Sequence, residues 1–233
     1  MAQAYLGVKA YGADVLEVGY VSRAGVDLDH HQQLWDTLSR NGIYLTADGV
    51  SDDHSGSSWV HQPNRFITCP WTSALDESSL QTALRAGRAF VGLLGDFVGA
   101  SRGASAGIDL DMEGVRMGQV SLRTGSGLAS RTLTINAQGL PSGSSVVVVQ
   151  GPVDYAGAGT PAPGTSSVAS LPASAFAAGG SASVPVNTSS SMFVRVDIVS
   201  SAGTTIAFSN PIWQLREQPP GSAPIPQNRL SSF

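Results

Sequence analysis

Asp14-Val-Leu-Glu-Val-Gly-Tyr20, then Asp29-His-His-Gln-Gln-Leu-Trp-Asp-Thr-Leu-Ser-Arg-Asn-Gly42, then Ile43-Tyr-Leu-Thr-Ala47 is the succession from which a fold class is read. The first run is short, apolar and β-branched, which predicts a buried strand ending near Gly19. In the second, Asp29 is placed to cap a helix, Leu34, Trp35 and Leu38 make its apolar stripe, and Gly42 stops it. The third reads as another short strand. Strand, helix, strand is the unit of an α/β domain with parallel pairing.

Working outward, Asp48-Gly-Val-Ser-Asp-Asp-His-Ser-Gly56 is polar and turn-forming, and a polar loop runs from it through Pro70. A second helix is expected over 73–87, capped by Ser73 or Asp76 and striped by Leu80, Ala83 and Leu84, with a strand over 89–94 after it. Beyond residue 105 helical periodicity disappears. Short β-prone runs at 119–123, 131–136, 146–150, 182–186, Met192–Val199 and 204–208 are spaced as in a small sandwich. The Ala, Gly, Ser, Thr and Pro stretch 156–180 reads as a long surface loop. The expected organisation is therefore an α/β domain over 1–104, an all-β, sandwich-like domain over 105–216 and a flexible tail over 217–233, whose four prolines disfavour any element.

Hydrophobic residues make up 42% of the 233 and charged residues 13%, enough apolar side chain to fill a core. The net charge of −4 and the scatter of 12 arginines and one lysine, Lys9, leave no basic stripe, so no nucleic-acid partner is expected. No membrane span or signal peptide is read, and the chain is expected to be soluble. Scarce lysine suits a secreted or periplasmic bacterial protein and a GC-rich genome equally, leaving the compartment open. Cys69, the only cysteine, excludes an intrachain disulfide and a multi-cysteine zinc site.

Chemistry concentrates at Asp52 and His54, two residues apart, which project to one face wherever the backbone is extended. A carboxylate and an imidazole at a strand end are donors that transition-metal hydrolases use. Taken alone, the pattern is common in solvated loops. Glu17 strengthens it, because an acid inside an apolar strand carries a desolvation cost unless it is paired or binds a cation; a salt bridge to an arginine is its structural alternative. His30 and His31, at a helix start, and His61, in a polar loop, fit surface or capping roles better than ligation.

The runs Val15-Leu-Glu-Val18, Leu34-Trp-Asp-Thr-Leu-Ser-Arg-Asn-Gly42, Val50-Ser-Asp-Asp-His54 and Leu80-Gln-Thr-Ala-Leu-Arg-Ala-Gly-Arg88 resemble, in order and spacing, the second half of PHP (polymerase and histidinol phosphatase) metal-dependent hydrolases. Phe193-Val-Arg-Val196 and Ser209-Asn-Pro-Ile-Trp213 resemble the β-domain that follows their catalytic barrel. The resemblance implies a partial, distorted βα barrel of PHP type. It implies divalent metal ions (zinc, manganese or iron) held by Glu17, Asp52 and His54, and hydrolysis of a phosphoester or related ester in a small-molecule substrate. The family opens with a His-x-His strand and further histidines before the glutamate, whereas this sequence has no histidine before His30. The first half of the barrel is thus expected to be missing, with self-association or a partner chain completing it. The alternative is a noncatalytic binding or interaction protein that uses its β-domain.

Overall fold

Strands dominate the computed structural model of the chain, which describes residues 2–8, 12–54, 56, 64–99, 105–124, 129–157, 163–177 and 180–231. Among these residues there are three α-helices: α1 (Ala2–Gly7), α2 (Leu28–Arg40) and α3 (Glu77–Arg85). The parallel unit read from the sequence exists, but it stops at one pair. Strands β1 (Val15–Gly19) and β4 (Thr46–Gly49) pair in parallel across α2, with the two-residue hairpin β2 (Ser22–Arg23) and β3 (Val26–Asp27) between β1 and α2.

The expected partial βα barrel is overturned at the next strand. β5 (Phe66–Pro70) pairs antiparallel with β6 (Ala89–Leu93), and β6 pairs antiparallel with β15 (Thr205–Ser209). The segment read as polar loop holds a β-prone run, Phe66-Ile-Thr-Cys, and β15 offers the apolar Ile206-Ala-Phe208 beside β6; antiparallel pairing onto a distant strand therefore replaces another parallel crossover. The fold is mostly β, built on curled sheets, and no α/β barrel is evident among the described residues.

The largest sheet runs β12 (Ser166–Pro172), β11 (Ser145–Pro152), β14 (Met192–Val199), β15, β6, β5; β16 (Ile212–Leu215) joins β14 to β9 (Val120–Leu122). It crosses the expected boundary at 104/105. A four-stranded sheet, ordered β13 (Ser181–Asn187), β10 (Ser130–Gln138), β7 (Gly107–Met112), β8 (Val115–Arg116), packs against it. β10 alternates buried and exposed residues as a sheet with one wet face must, sending Leu133, Ile135 and Ala137 into the core. β12 falls inside the stretch expected to be a long loop. There Val168, Ala169 and Leu171 lie along a strand whose backbone groups pair with β11.

β14 is buried along nearly its whole length because both of its faces are covered. Val194, Val196 and Ile198 point into the core between the sheets, while Arg195 and Asp197 point the other way, toward α2. Helix α2 is capped two residues earlier than Asp29: the Asp27 carboxylate accepts from the His30 amide at 3.1 Å. The buried face of α2 carries Gln32, Trp35 and Asp36. Arg195 donates to both Asp36 oxygens at 3.1 Å and to Asp197, and Gln32 donates to Asp197 at 3.3 Å. Burial pushes the Asp197 carboxyl up, and the guanidinium beside it works against that shift.

The tail expected to be loose is tied into the fold at its far end. Arg229 is 1% exposed, and its guanidinium donates to the Gly118 carbonyl at 3.2 Å, the Asp14 carbonyl at 3.3 Å and Thr46 Oγ1 at 2.6 Å. Desolvation lowers its pKa to about 10. No helix among the described residues is long and apolar enough to cross a membrane.

Removing one partner of the Arg195 cluster leaves buried charge uncompensated. Asp36→Ala is expected to cost roughly 3–5 kcal/mol in urea unfolding, whereas replacing Asp36, Arg195 and Asp197 together by apolar residues of similar volume costs much less. Equal losses in the two variants would show that packing, not charge compensation, sets the effect.

Candidate acidic site at the parallel strand pair

The site stands where β1 and β4 end. In their register Glu17 lies beside Asp48 and Gly19 beside Gly49, so two paired acids precede a pair of glycines, Asp48 by one residue and Glu17 by two across a register shift. A Cβ on Gly49 would come within 2.8 Å of the Phe66 and Ile67 backbone, and one on Gly19 within 2.8 Å of Gly49 Cα. Only bare backbone lets the two strand ends press onto β5. Two side chains complete the attachment: Thr68 Oγ1 accepts from the Gly49 amide at 2.9 Å, and Asn210 binds Ala47 through both its amide and its carbonyl while donating to Ala89 O at 2.8 Å. Asn210 is fully buried, so its amide replaces the strand partner that β4 lacks on this side.

Glu17, Asp52 and His54, the three residues expected as metal ligands, line one open cleft of about 560 Å³ with Tyr20, Thr68 and the backbone of 49–51. The route to this placement differs from the one expected. Glu17 is exposed, because β1 is an edge strand, and it accepts a hydrogen bond from Tyr20 Oη at 2.5 Å. Asp52 is not in extended backbone but has φ +53°, a left-handed conformation uncommon outside glycine, asparagine and aspartate. The turn brings its carboxylate to 3.0 Å from His54 Nε2, with the imidazole 89% exposed. His30 binds Asp27 at 2.6 Å at the helix start, and His31 stacks on Tyr20 with ring centres 4.9 Å apart. His61 lies outside the described residues.

The desolvated acid is Asp48, which sequence reasoning left in a polar turn. Its carboxyl is half-buried, Oδ1 has no hydrogen-bond partner, and its pKa is raised to about 6, first by burial and then by the Glu17 charge. The available signal was its position: an acid at the end of the second strand of a parallel pair, aligned with the acid of the first. Among the described residues, no three His, Cys, Asp or Glu side chains already stand as a ready metal cage. An orphaned carboxyl oxygen beside a second carboxylate nevertheless fits a cation, which would satisfy both acids. Glu17 and Asp48 would hold it from the strand ends, and Asp52 and His54 from the loop. Bound there, it would supply Lewis-acid polarisation and an acidified water.

Compared with models of known protein families and with curated protein sequences, the chain matches none.

Asp48 makes a measurable prediction for metal-free protein. Its folded pKa of about 6 exceeds the unfolded value of 3.8, so its contribution to stability is fully present below pH 3.8 and is lost as pH rises through 6. Asp48→Asn removes the ionisation. The variant should exceed the wild type by on the order of 2 kcal/mol in urea unfolding with chelator at pH 8, and match it at pH 3.5. A pH-independent difference would mean that Asp48 carries no desolvation cost.

Proposed function

We propose that the cleft at the ends of β1 and β4 is a divalent-metal site for hydrolysis of a phosphoester or related ester in a small-molecule substrate, as the resemblance to PHP hydrolases implies. The observation that carries this reading is the arrival of Glu17 from one part of the chain, and Asp52 and His54 from another, on one cleft, beside a third acid, Asp48, whose buried oxygen has no partner. Carboxylates with one imidazole suit manganese, zinc or iron. Such ions accept water and substrate oxygens as further ligands, so a site with few protein donors is compatible with phosphate chemistry. A second copy or partner chain could add donors by pairing at β1, whose one strand partner among the described residues is β4.

The chain's own residues have separable tasks. Tyr20 fixes one oxygen of Glu17 at the cleft by its 2.5 Å hydrogen bond. His54, joined to Asp52, presents an exposed imidazole at the rim of the cleft.

Titration calorimetry with manganese and with zinc tests the reading. Wild-type protein should bind saturably, and Asp48→Asn and Asp52→Asn should each weaken binding by about tenfold or more. Hydrolysis of p-nitrophenyl phosphate should follow metal occupancy across the same variants. Absence of saturable binding by either metal would discard the hydrolase reading in favour of a noncatalytic binding protein.

A further inference from the structure

A second cavity, of about 670 Å³, opens on another part of the molecule, between the loop after α2, the segment around Tyr155 and the tail loop 220–226. Leu6, Ile43, Pro224 and Pro226 make its walls largely apolar. Two phenols break that character. Tyr44 is 5% exposed, Tyr155 is half-buried, and their hydroxyls neighbour each other with no other polar partner. Burial first, and the neighbouring Tyr155 second, push the Tyr44 phenol far above its ordinary range, so it remains a neutral donor and acceptor at any physiological pH.

Tyr155 is held in an uncommon conformation to reach this place. Its φ of +54° lies in the left-handed region, where an aromatic residue is an outlier. The conformation is imposed from α2: the Arg40 carbonyl accepts from the amides of Asp154 and Tyr155 at 3.2 Å, and the Arg40 guanidinium grips Asp154 with two bonds of 2.7 Å. Strain of this kind persists where the surroundings over-determine it, and it gathers at binding sites. The cover of the cavity is lightly fastened. Within 220–226 the amide of Ala223 bonds inside the loop, to Pro220 O at 2.8 Å, and the tail's anchors to the body begin at Asn228, Arg229 and Ser231.

We infer that this cavity is a binding site for a planar, mostly apolar small molecule bearing one hydroxyl that can donate to one of the two tyrosines and accept from the other. The size lies within the range of small-molecule pockets, and such sites combine apolar walls with a few placed polar groups. A phenol-like ligand gives both hydroxyls a partner beyond each other, while a purely apolar one offers neither any. This site is separate from the acidic cleft and does not depend on its chemistry.

Saturation-transfer NMR with 2-naphthol as probe, on the full chain, tests the inference. Binding should be saturable and about tenfold tighter than for 2-methylnaphthalene, the difference expected for a hydroxyl that gains buried partners. Tyr44→Phe removes a hydroxyl whose one polar neighbour is the Tyr155 phenol, so the variant keeps its fold and should lose about the same factor for 2-naphthol. Ser222→Trp, on the exposed rim, should block the cavity and abolish binding of both probes. Equal affinity for 2-naphthol in the wild type, Tyr44→Phe and Ser222→Trp would overturn the assignment, as would the absence of saturable binding.

Discussion

A guanidinium with almost no access to water joins the one long helix to the large sheet. Arg195, 4% exposed on the helix-facing side of β14, is compensated by Asp36 from α2 and by Asp197 from its own strand. Desolvation of three charges is costly, and the geometry that offsets it is demanding: a bidentate grip on Asp36, with Gln32 donating to the remaining carboxylate. Trp35 lies under the same guanidinium, its ring centre 5.8 Å from Cζ, and its indole donates to Leu45 O at 2.9 Å. Helix position, the turn after it and the start of β4 are thereby set together.

From that fixed helix the other constraints follow in space. β4 leaves the turn with a parallel partner on one side and no strand on the other, and buried polar side chains fill the vacancy: Asn210 at Ala47, and Arg229 and Thr46 at the strand's beginning. Asn210 and Arg229 come from distant parts of the sequence, and Thr46 is the first residue of β4 itself. A parallel pair of two short strands has little stability of its own, and here its backbone groups are satisfied by loops of the β-rich body rather than by further βα units. The strand ends, and the acids on them, are placed by residues far away in the chain.

The distribution of burial at those strand ends has a chemical consequence. Glu17 faces solvent and is steadied by Tyr20, while Asp48, beside it, is half-buried with one oxygen unpartnered. Two neighbouring carboxylates in unlike surroundings repel each other, and the less hydrated one gives way by holding its proton longer. Such an arrangement costs stability in the empty state and lowers the cost of taking up a cation. The same division of labour governs the tyrosine-lined cavity, where Arg40 holds Tyr155 in a strained conformation and two phenols have no polar partner beyond each other.

Local signals in the sequence determined the elements that depend on near neighbours. The stripe of α2 and the stop at Gly42, the strand at 15–19, the strand Met192–Val199 and the meeting of Asp52 with His54 are all set within a few residues, where periodicity and turn chemistry act. Pairing was decided by the tertiary structure, because strand direction and partner depend on which apolar edge lies nearest in space. Phe66–Pro70 is apolar enough to be a strand in either scheme, and only the presence of β15 alongside β6 made the sheet antiparallel and ended the βα succession. Burial likewise belongs to the assembled fold: Glu17, an acid in an apolar run, ended up in water, and Asp48, in a polar run, lost it, because an open edge lies beside one and packed backbone beside the other.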